Sequence, residues 1–159
     1  MILSARAREN FVISLITVLG VIALDRVSKL FFTHLLSLGE SLPLIPNIVH
    51  FTLVHNTGIA FGLFKNQGVL FIVIPIIVIV LIAYNLYLCR DDLEISRLNI
   101  LAFAMILAGA MGNLADRVVY GHVIDFIDFR FWPVFNIADS AITIGTAILL
   151  IKCIPFFAK

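Results

Sequence analysis

The sequence predicts an α-helical integral membrane protein: four transmembrane helices with a small extracytoplasmic β-sheet at the membrane surface. Three observations carry this. Hydrophobic residues make up 62% of the 159 and charged residues only 13%, whereas soluble domains are about 45–50% apolar and 25% charged. Four apolar runs recur along the chain, each near the ~20 residues that a bilayer core requires. Between them, two stretches alternate apolar and polar residues as half-buried strands do. The length fits one domain over residues 1–159. A formal net charge of +1, with no basic cluster and no glycine-rich phosphate loop, argues against a nucleic-acid partner.

The first span is expected over about residues 11–36. Its basic prelude "MILSARAREN" has the form of a signal-peptide start, but no small-residue cleavage site follows, so the helix is expected to be retained. Asp25 and Lys29 stand four residues apart toward its far end, on one helix face. "PNIVHFTLVHNTG" (Pro46 to Gly58) sets Val49, Phe51 and Leu53 against His50 and Thr52 and then turns, the pattern of a strand. The second span, about 68–89, is the plainest; its Pro75 is tolerable in a membrane helix and it is expected only to span. "RDDLEISR" (Arg90 to Arg97) is a charged loop. The third span, about 98–116, carries Ala104, Ala108 and Gly112 at four-residue spacing, a small face that lets helices approach closely. "HVIDFIDFRFW" (His122 to Trp132) has strand-like and interfacial aromatic character, with Trp132 suited to the headgroup level. The fourth span, about 137–156, again offers small residues at Ala141 and Gly145.

Four spans return both termini to one side. Arg6, Arg8, Arg90, Arg97, Lys152 and Lys159 then fall together on the cytoplasmic side, as the positive-inside tendency asks. Arg26, Lys29, Lys65, Arg117 and Arg130 fall to the other side, in or beside polar motifs. Cys89 and Cys153 end apolar runs on the reducing side, so no disulfide is expected. Cys89 also lacks the small residues that precede a lipid-modified cysteine.

Ionisable residues at membrane depth cost about 2.5–3.5 kcal/mol each on insertion scales and are functional candidates by default. For Asp25, Lys29, Asp116 and Arg117 a plain structural reading competes on equal terms: Asp25 pairs with Lys29, and Asp116 with Arg117 or another base. Asp125 and Asp139 differ, because each lies in an apolar frame without an adjacent base. Two carboxylates held close cannot both ionise, so such a pair retains one proton and can serve one water as acid and base. Asp128 competes as the partner of Asp125, yet in a strand i and i+3 face opposite ways, so it reads as a surface residue. Asp139 is equally readable as a helix-start acid favoured by the dipole. Ser28 and Lys29 are neighbours that do not face one another on a helix, which sets a Ser/Lys hydrolase aside. His122, Asp125, Asp128 and Asp139 could hold a metal in principle, but no HExxH or cysteine pair supports one; His50 and His55 read as interfacial strand residues.

Taken in order, these motifs resemble those of the bacterial lipoprotein signal peptidases (signal peptidase II) over almost the whole chain. They are Asp25 with Lys29; "NTGIAFG" with Asn56, Gly58, Ala60 and Phe61; "GNLADR" with Gly112, Asn113, Asp116 and Arg117; "VIDF" with Asp125; and "FNIADSAI" with Asn136, Ala138 and Asp139. The resemblance implies an aspartic endopeptidase of the bacterial inner membrane, monomeric and free of cofactor or metal, with its active site on the extracytoplasmic face. Its substrates would be prolipoproteins embedded in membrane lipid, cut just before a cysteine that bears a diacylglyceryl group. It also implies that Asp125 and Asp139 form the catalytic dyad, supported by Asn56, Gly58, Asn113, Arg117, Asn136, Asp25, Lys29 and Asp116.

The rival from another class is a small proton-coupled transporter or channel subunit, which also buries acids. It requires polar residues spread through the full membrane depth. Here the second span has only Asn85, near its end, and the opposite halves of the other spans are nearly bare.

Overall fold

A computed structural model describes residues 4–58, 69–89 and 96–153, with residues 152 and 153 described by backbone alone. Ala60, Phe61, Lys65, the loop from Arg90 to Ile95, the side chains of Lys152 and Cys153, and the chain beyond residue 153 lie outside the described residues. Four helices, α1 (Ala5–Leu35), α2 (Leu70–Leu88), α3 (Arg97–Tyr120) and α4 (Ile137–Cys153), accompany three strands, β1 (Ser41–Ile45), β2 (Val49–Asn56) and β3 (Val123–Asp128). Among them α1, α2 and α3 are long and apolar enough to cross a bilayer, and α4 is apolar but shorter.

Helix α1 starts six residues before the expected boundary. Hydropathy marks only the part of a helix that sits in hydrocarbon, while the start is set by a cap: the Ser4 hydroxyl accepts from the Ala7 N–H at 3.0 Å. Its 31 residues rise about 46 Å, well beyond a ~30 Å core. Helix α3 likewise opens on a Ser96 cap, 3.2 Å from the Asn99 N–H, and runs past Asp116 to Gly121. That glycine has φ +77°, the left-handed geometry that ends helices, and its N–H donates to Arg117 O at 3.1 Å.

Helix α3 is the centre of the bundle, packed on the other three. Ala104, Ala108 and Gly112 are buried as their spacing predicts. Gly109 is the closer approach: a Cβ there would strike the Ala138 carbonyl oxygen and come within 2.7 Å of Ile142 Cγ1. A Cβ on Gly145 would lie 2.7 Å from Ala102 O. Backbone therefore meets backbone along the α3–α4 seam.

The sheet is antiparallel, in the order β1-β2-β3. Both expected strands form. β1 was not legible in "SLPLI", because all five of its residues are exposed and no inside–outside alternation develops. Its Pro43 suits an edge strand, where no partner needs the missing N–H. Phe51 pairs with Ile127 but Val54 with Asp125, so three steps along β2 match two along β3. This bulge adjoins Asp125, a place where an extra residue re-aims side chains. A buried cluster of Phe32, Leu36, Leu53, Ile124 and Phe126 fixes the sheet to the end of α1. Within it the Phe32 ring stacks on Phe126 at 4.4 Å and lies 4.5 Å from Phe51.

The tight seam yields a paired prediction. Gly109→Ala should cost about 1–3 kcal/mol by overpacking, seen as a lower melting temperature in detergent. Gly20→Ala, inside α1 with nothing within 4 Å of the new methyl, should hold or slightly raise the melting temperature, since a helix interior favours Ala over Gly by about 0.5–1 kcal/mol.

Candidate active site

The site is built where the far halves of α1 and α3 meet the start of α4. Asp25 and Lys29 project from one face of α1, and the Lys29 ammonium reaches Asp25 Oδ2 at 2.8 Å and Asp116 Oδ2 of α3 at 2.7 Å. All three residues are at most 1% exposed. Arg26 Nη1 lies 2.9 Å from Asp116 Oδ1, so two cations face two carboxylates and the cluster is neutral. The sequence offered Arg117 or another base as the partner of Asp116. The other bases are Lys29 and Arg26, because the cluster closes across α1 and α3 rather than along α3.

From this cluster the order passes to α4. Asp25 Oδ1 accepts from the Ala138 N–H at 3.0 Å, a carboxylate on the orphan donors and positive dipole end of a helix. Asn136 Oδ1 accepts from the Asp139 N–H at 2.9 Å, and Asp139 Oδ2 from the Asn136 N–H at 3.3 Å, a reciprocal capping box. The helix-start reading of Asp139 is therefore correct. It also brings the acid to Asp125, so the two readings are compatible.

Asp125 and Asp139 are linked through two carboxamides. Asn136 Nδ2 donates to Asp125 Oδ1 at 2.7 Å and to Asn113 Oδ1 at 3.1 Å, while Asn113 Nδ2 donates to Asp139 Oδ1 at 2.7 Å. Lys29 Nζ stands 3.4 Å from the same Asn113 Oδ1, tying the carboxamides to the ion cluster. On its other side Asp125 Oδ2 accepts from Asn56 Nδ2 at 2.9 Å. Asn56 Oδ1 in turn takes the N–H of Gly58 at 2.8 Å, and Gly58 has φ +81°, where a Cβ would lie 2.8 Å from the Phe71 ring.

Burial pushes the Asp125 carboxyl up to about 7. The Asn56 amide opposes that shift, the Asp139 charge adds to it, and the Asn136 amide and Lys29 oppose it. The direct partners of Asp125 among the described residues are neutral amides, and none of them compensates a full negative charge. Asp139 is only half-buried. It lines an open groove of about 280 Å³ with Asn113, Arg117, Ile74, Val78 and Ile106. Arg117 Nη1 lies 3.4 Å from Asn113 O and its guanidinium stands 5.9 Å from the Phe71 ring centroid. Its buried Nε has no hydrogen-bond partner among the described residues.

The remaining polar candidates fall elsewhere. Asp128 is buried, which corrects its reading as a surface residue: the strand does turn it away from Asp125, but onto Thr52 Oγ1 at 2.8 Å and the Arg130 N–H at 2.7 Å. Burial raises its carboxyl, yet these hydrogen bonds and the Arg130 charge hold it below the ordinary value. Ser28 donates to the Asp25 carbonyl rather than to Lys29. His50 Nδ1 is 3.1 Å from Ser41 Oγ, and the His55 and His122 rings stack at 3.8 Å. Phe71 was not singled out from the sequence, and Arg26 was placed only beside the polar motifs, with no partner given. Arg26 adjoins Asp25, but its pairing depends on which face of α3 it meets.

The family model described as Signal peptidase (SPase) II matches residues 17–155. The chain belongs to the signal peptidase II family. It is 43% identical over 136 residues to the lipoprotein signal peptidase of Halothermothrix orenii, covering 86% of this chain and 91% of that one. Over 139 residues it is 42% identical to the lipoprotein signal peptidase of Pseudomonas syringae, covering 81% and 78%. Two solved structures of a bacterial membrane enzyme superpose with a TM-score of 0.80. They share 31% and 32% identity and cover 92% and 89% of this chain, and 90% and 92% of their own. All the motifs from Asp25 to Asp139 fall within the span that the signal peptidase II model matches.

In this signal peptidase II, removing the shared cation tests the cluster. Lys29→Met leaves Asp25 and Asp116 facing each other in a buried space and should cost about 3–5 kcal/mol. A lower yield of folded protein and a depressed melting temperature would register it. Arg26→Gln should cost less, because Arg26 keeps partial access to solvent.

Proposed function

We propose that the chain is an aspartic endopeptidase that removes signal peptides from prolipoproteins, with Asp125 and Asp139 acting as one proton-sharing pair. Cleavage falls just before the diacylglyceryl-modified cysteine. The observation that carries this reading is the pair of carboxamides, Asn113 and Asn136, that bridges a buried acid raised to about 7 and a groove-lining acid. Burial favours the protonated form of Asp125, which makes it the acid of the pair and leaves the groove-lining Asp139 to act as the base.

In the first step Asp139 takes a proton from water, and the hydroxyl oxygen bonds to the scissile carbonyl carbon. Asp125 delivers its proton to the carbonyl oxygen, giving a neutral gem-diol. In the second step Asp139 returns its proton to the amide nitrogen, the C–N bond breaks, and a diol hydroxyl restores the proton to Asp125. Water and peptide become acid and amine with both aspartates back at their starting states. The incoming carbonyl takes the position that the Asn56 amide holds on Asp125 Oδ2. Arg117, with an uncommitted Nε beside the groove, holds a substrate carbonyl oxygen. The two acyl chains of the substrate hold the scissile bond at interface depth, each buried methylene contributing about 0.8 kcal/mol. The arginines at the starts of α1 and α3 support a cytoplasmic location for both termini in the bacterial inner membrane. The site then lies on the extracytoplasmic face, and one chain of a single domain, without metal or cofactor, supplies every group. A transporter is disfavoured because the buried acids cluster at one end of the bundle.

The test offers purified protein in detergent a diacylglyceryl-modified prolipoprotein and its unmodified twin, with cleavage followed by gel shift. Only the modified precursor should be cut, and EDTA should not change the rate. Asp125→Asn or Asp139→Asn should each lower kcat by about 10²–10⁴-fold or more, and the double variant little further, because residues acting as a unit are non-additive. Asp128→Asn should retain substantial activity while loosening the Thr52 and Arg130 contacts. A dead Asp128→Asn beside an active Asp139→Asn would overturn the pairing.

The pH profile gives a separate check. Asp125 must carry a proton to act, so the rate should fall as pH rises through about 7. Asn56→Ala removes a hydrogen bond that favours the charged form, so the alkaline limb should move to higher pH even as the rate drops. Stability follows the same sign. The folded-state value lies above the ordinary 3.8, so the stabilising contribution of Asp125 is present in acid and is lost as pH rises toward about 7. Asp125→Asn should flatten that slope in melting temperature.

A further inference from the structure

At the end of the bundle away from the acids, a second cavity of about 400 Å³ opens between α1, α2 and α3. Its walls include Phe11, Leu15 and Val18 of α1, Ala83 and Leu86 of α2, and Ile100 of α3. The lining of α1 runs from Ala7 to Val18. Eleven steps of helix rise about 16 Å, the depth of one leaflet of a ~30 Å hydrocarbon core. The cavity is thus as deep as one leaflet and lies in the leaflet opposite the site.

Among the described residues, the charge at its outer end is positive and follows the same helix faces. Arg6 stands four residues before Asn10, Arg8 three before Phe11, and Arg97 three before Ile100, so each arginine lies one turn beyond a residue that lines the cavity. Glu9 pairs with both Arg6 and Arg97, which leaves the group with net positive charge. Arg8 is exposed and forms no ion pair among the described residues.

We propose that this cavity holds one acyl chain of an anionic phospholipid, with the phosphate against Arg8 and Arg97. A cavity of leaflet depth with cationic groups at its headgroup end matches a single acyl chain below an anionic head. A peptide helix would need a wider groove continued across both leaflets. The lipid would link α2 to the α1–α3 pair in the half of the bundle that has no buried ion cluster. It is a component of the membrane and not a substrate, and the inference is independent of the cleavage chemistry.

The test compares dioleoyl phosphatidylglycerol with dioleoyl phosphatidylcholine in nanodiscs or mixed micelles, reading bound lipid by native mass spectrometry and melting temperature in parallel. Phosphatidylglycerol should be retained in preference and should raise the melting temperature. Arg8→Gln should weaken that preference about fivefold, the equivalent of ~1 kcal/mol per basic residue at an anionic surface. Ser14→Phe, or Ala83→Phe from the opposite wall should the first variant not fold, should abolish both retention and the thermal shift while prolipoprotein cleavage in detergent continues. Equal retention of the two lipids would overturn the proposal, as would an undiminished shift in the filled variants. Loss of cleavage in a folded, filled variant whose lipid response persists would assign the cavity to the signal helix instead.

Discussion

One buried ammonium group organises the bundle. Lys29 has no access to solvent and lies within 2.8 Å of two carboxylates on different helices. A charge at that depth persists only when paired and hydrogen-bonded, and a pair deprived of one partner is far worse than none. The position of α1 against α3 is therefore fixed near Lys29 to within the reach of a hydrogen bond. Asp25, held by Lys29 through Oδ2, has Oδ1 left for the Ala138 N–H, so the start of α4 is referred to the same cation. Small residues make this geometry possible: Gly112 lies so close to Asp25 that a Cβ would be 2.9 Å from Oδ2.

The environments of the two candidate acids follow from that frame. Asp139 belongs to the first turn of α4 and receives an N–H of its own capping box, whereas Asp125 sits in a strand among amides. For Asp125, burial without a base in contact favours the neutral form. The same Asn136 serves both acids, capping α4 with Oδ1 while donating to Asp125 through Nδ2. The start of α4 and the link between the two acids are thus one arrangement of hydrogen bonds through Asn136.

Much of this was legible in the sequence, for unequal reasons. Helices declare themselves in lipid because an unbroken apolar run has few alternatives, and the isolation of Asp125 and Asp139 from any adjacent base was visible in "VIDF" and "NIADSAI". Caps extended α1 and α3 beyond their apolar runs, since Ser4 and Gly121 act through backbone geometry that hydropathy does not sense. β1 escaped notice because an exposed edge strand shows no alternation. The burial of Asp128 escaped notice because its partner Thr52 lies on another strand, 76 positions earlier in the chain. The base that pairs with Asp116 stayed unnamed beyond Arg117 for the same reason: local spacing finds partners along a helix, and Arg26 and Lys29 lie across the bundle.

The bridging carboxamides explain how a pair of acids can be both close and stable. Two carboxylates in direct contact at low dielectric repel strongly unless a proton is shared. An amide placed between them offers a donor to one acid and accepts at its oxygen, so Asn113 and Asn136 orient both groups without neutralising either. A lysine in that position would place a full positive charge against Asp125, whose described contacts are neutral. The ammonium is instead set back behind the amides, 3.4 Å from Asn113 Oδ1. From there it fixes their orientation while its charge is spent on Asp25 and Asp116. Cationic charge is thus used for the frame and neutral amides for the candidate pair, and that division leaves Asp125 raised well above the ordinary carboxylate value in a protein built around a buried lysine.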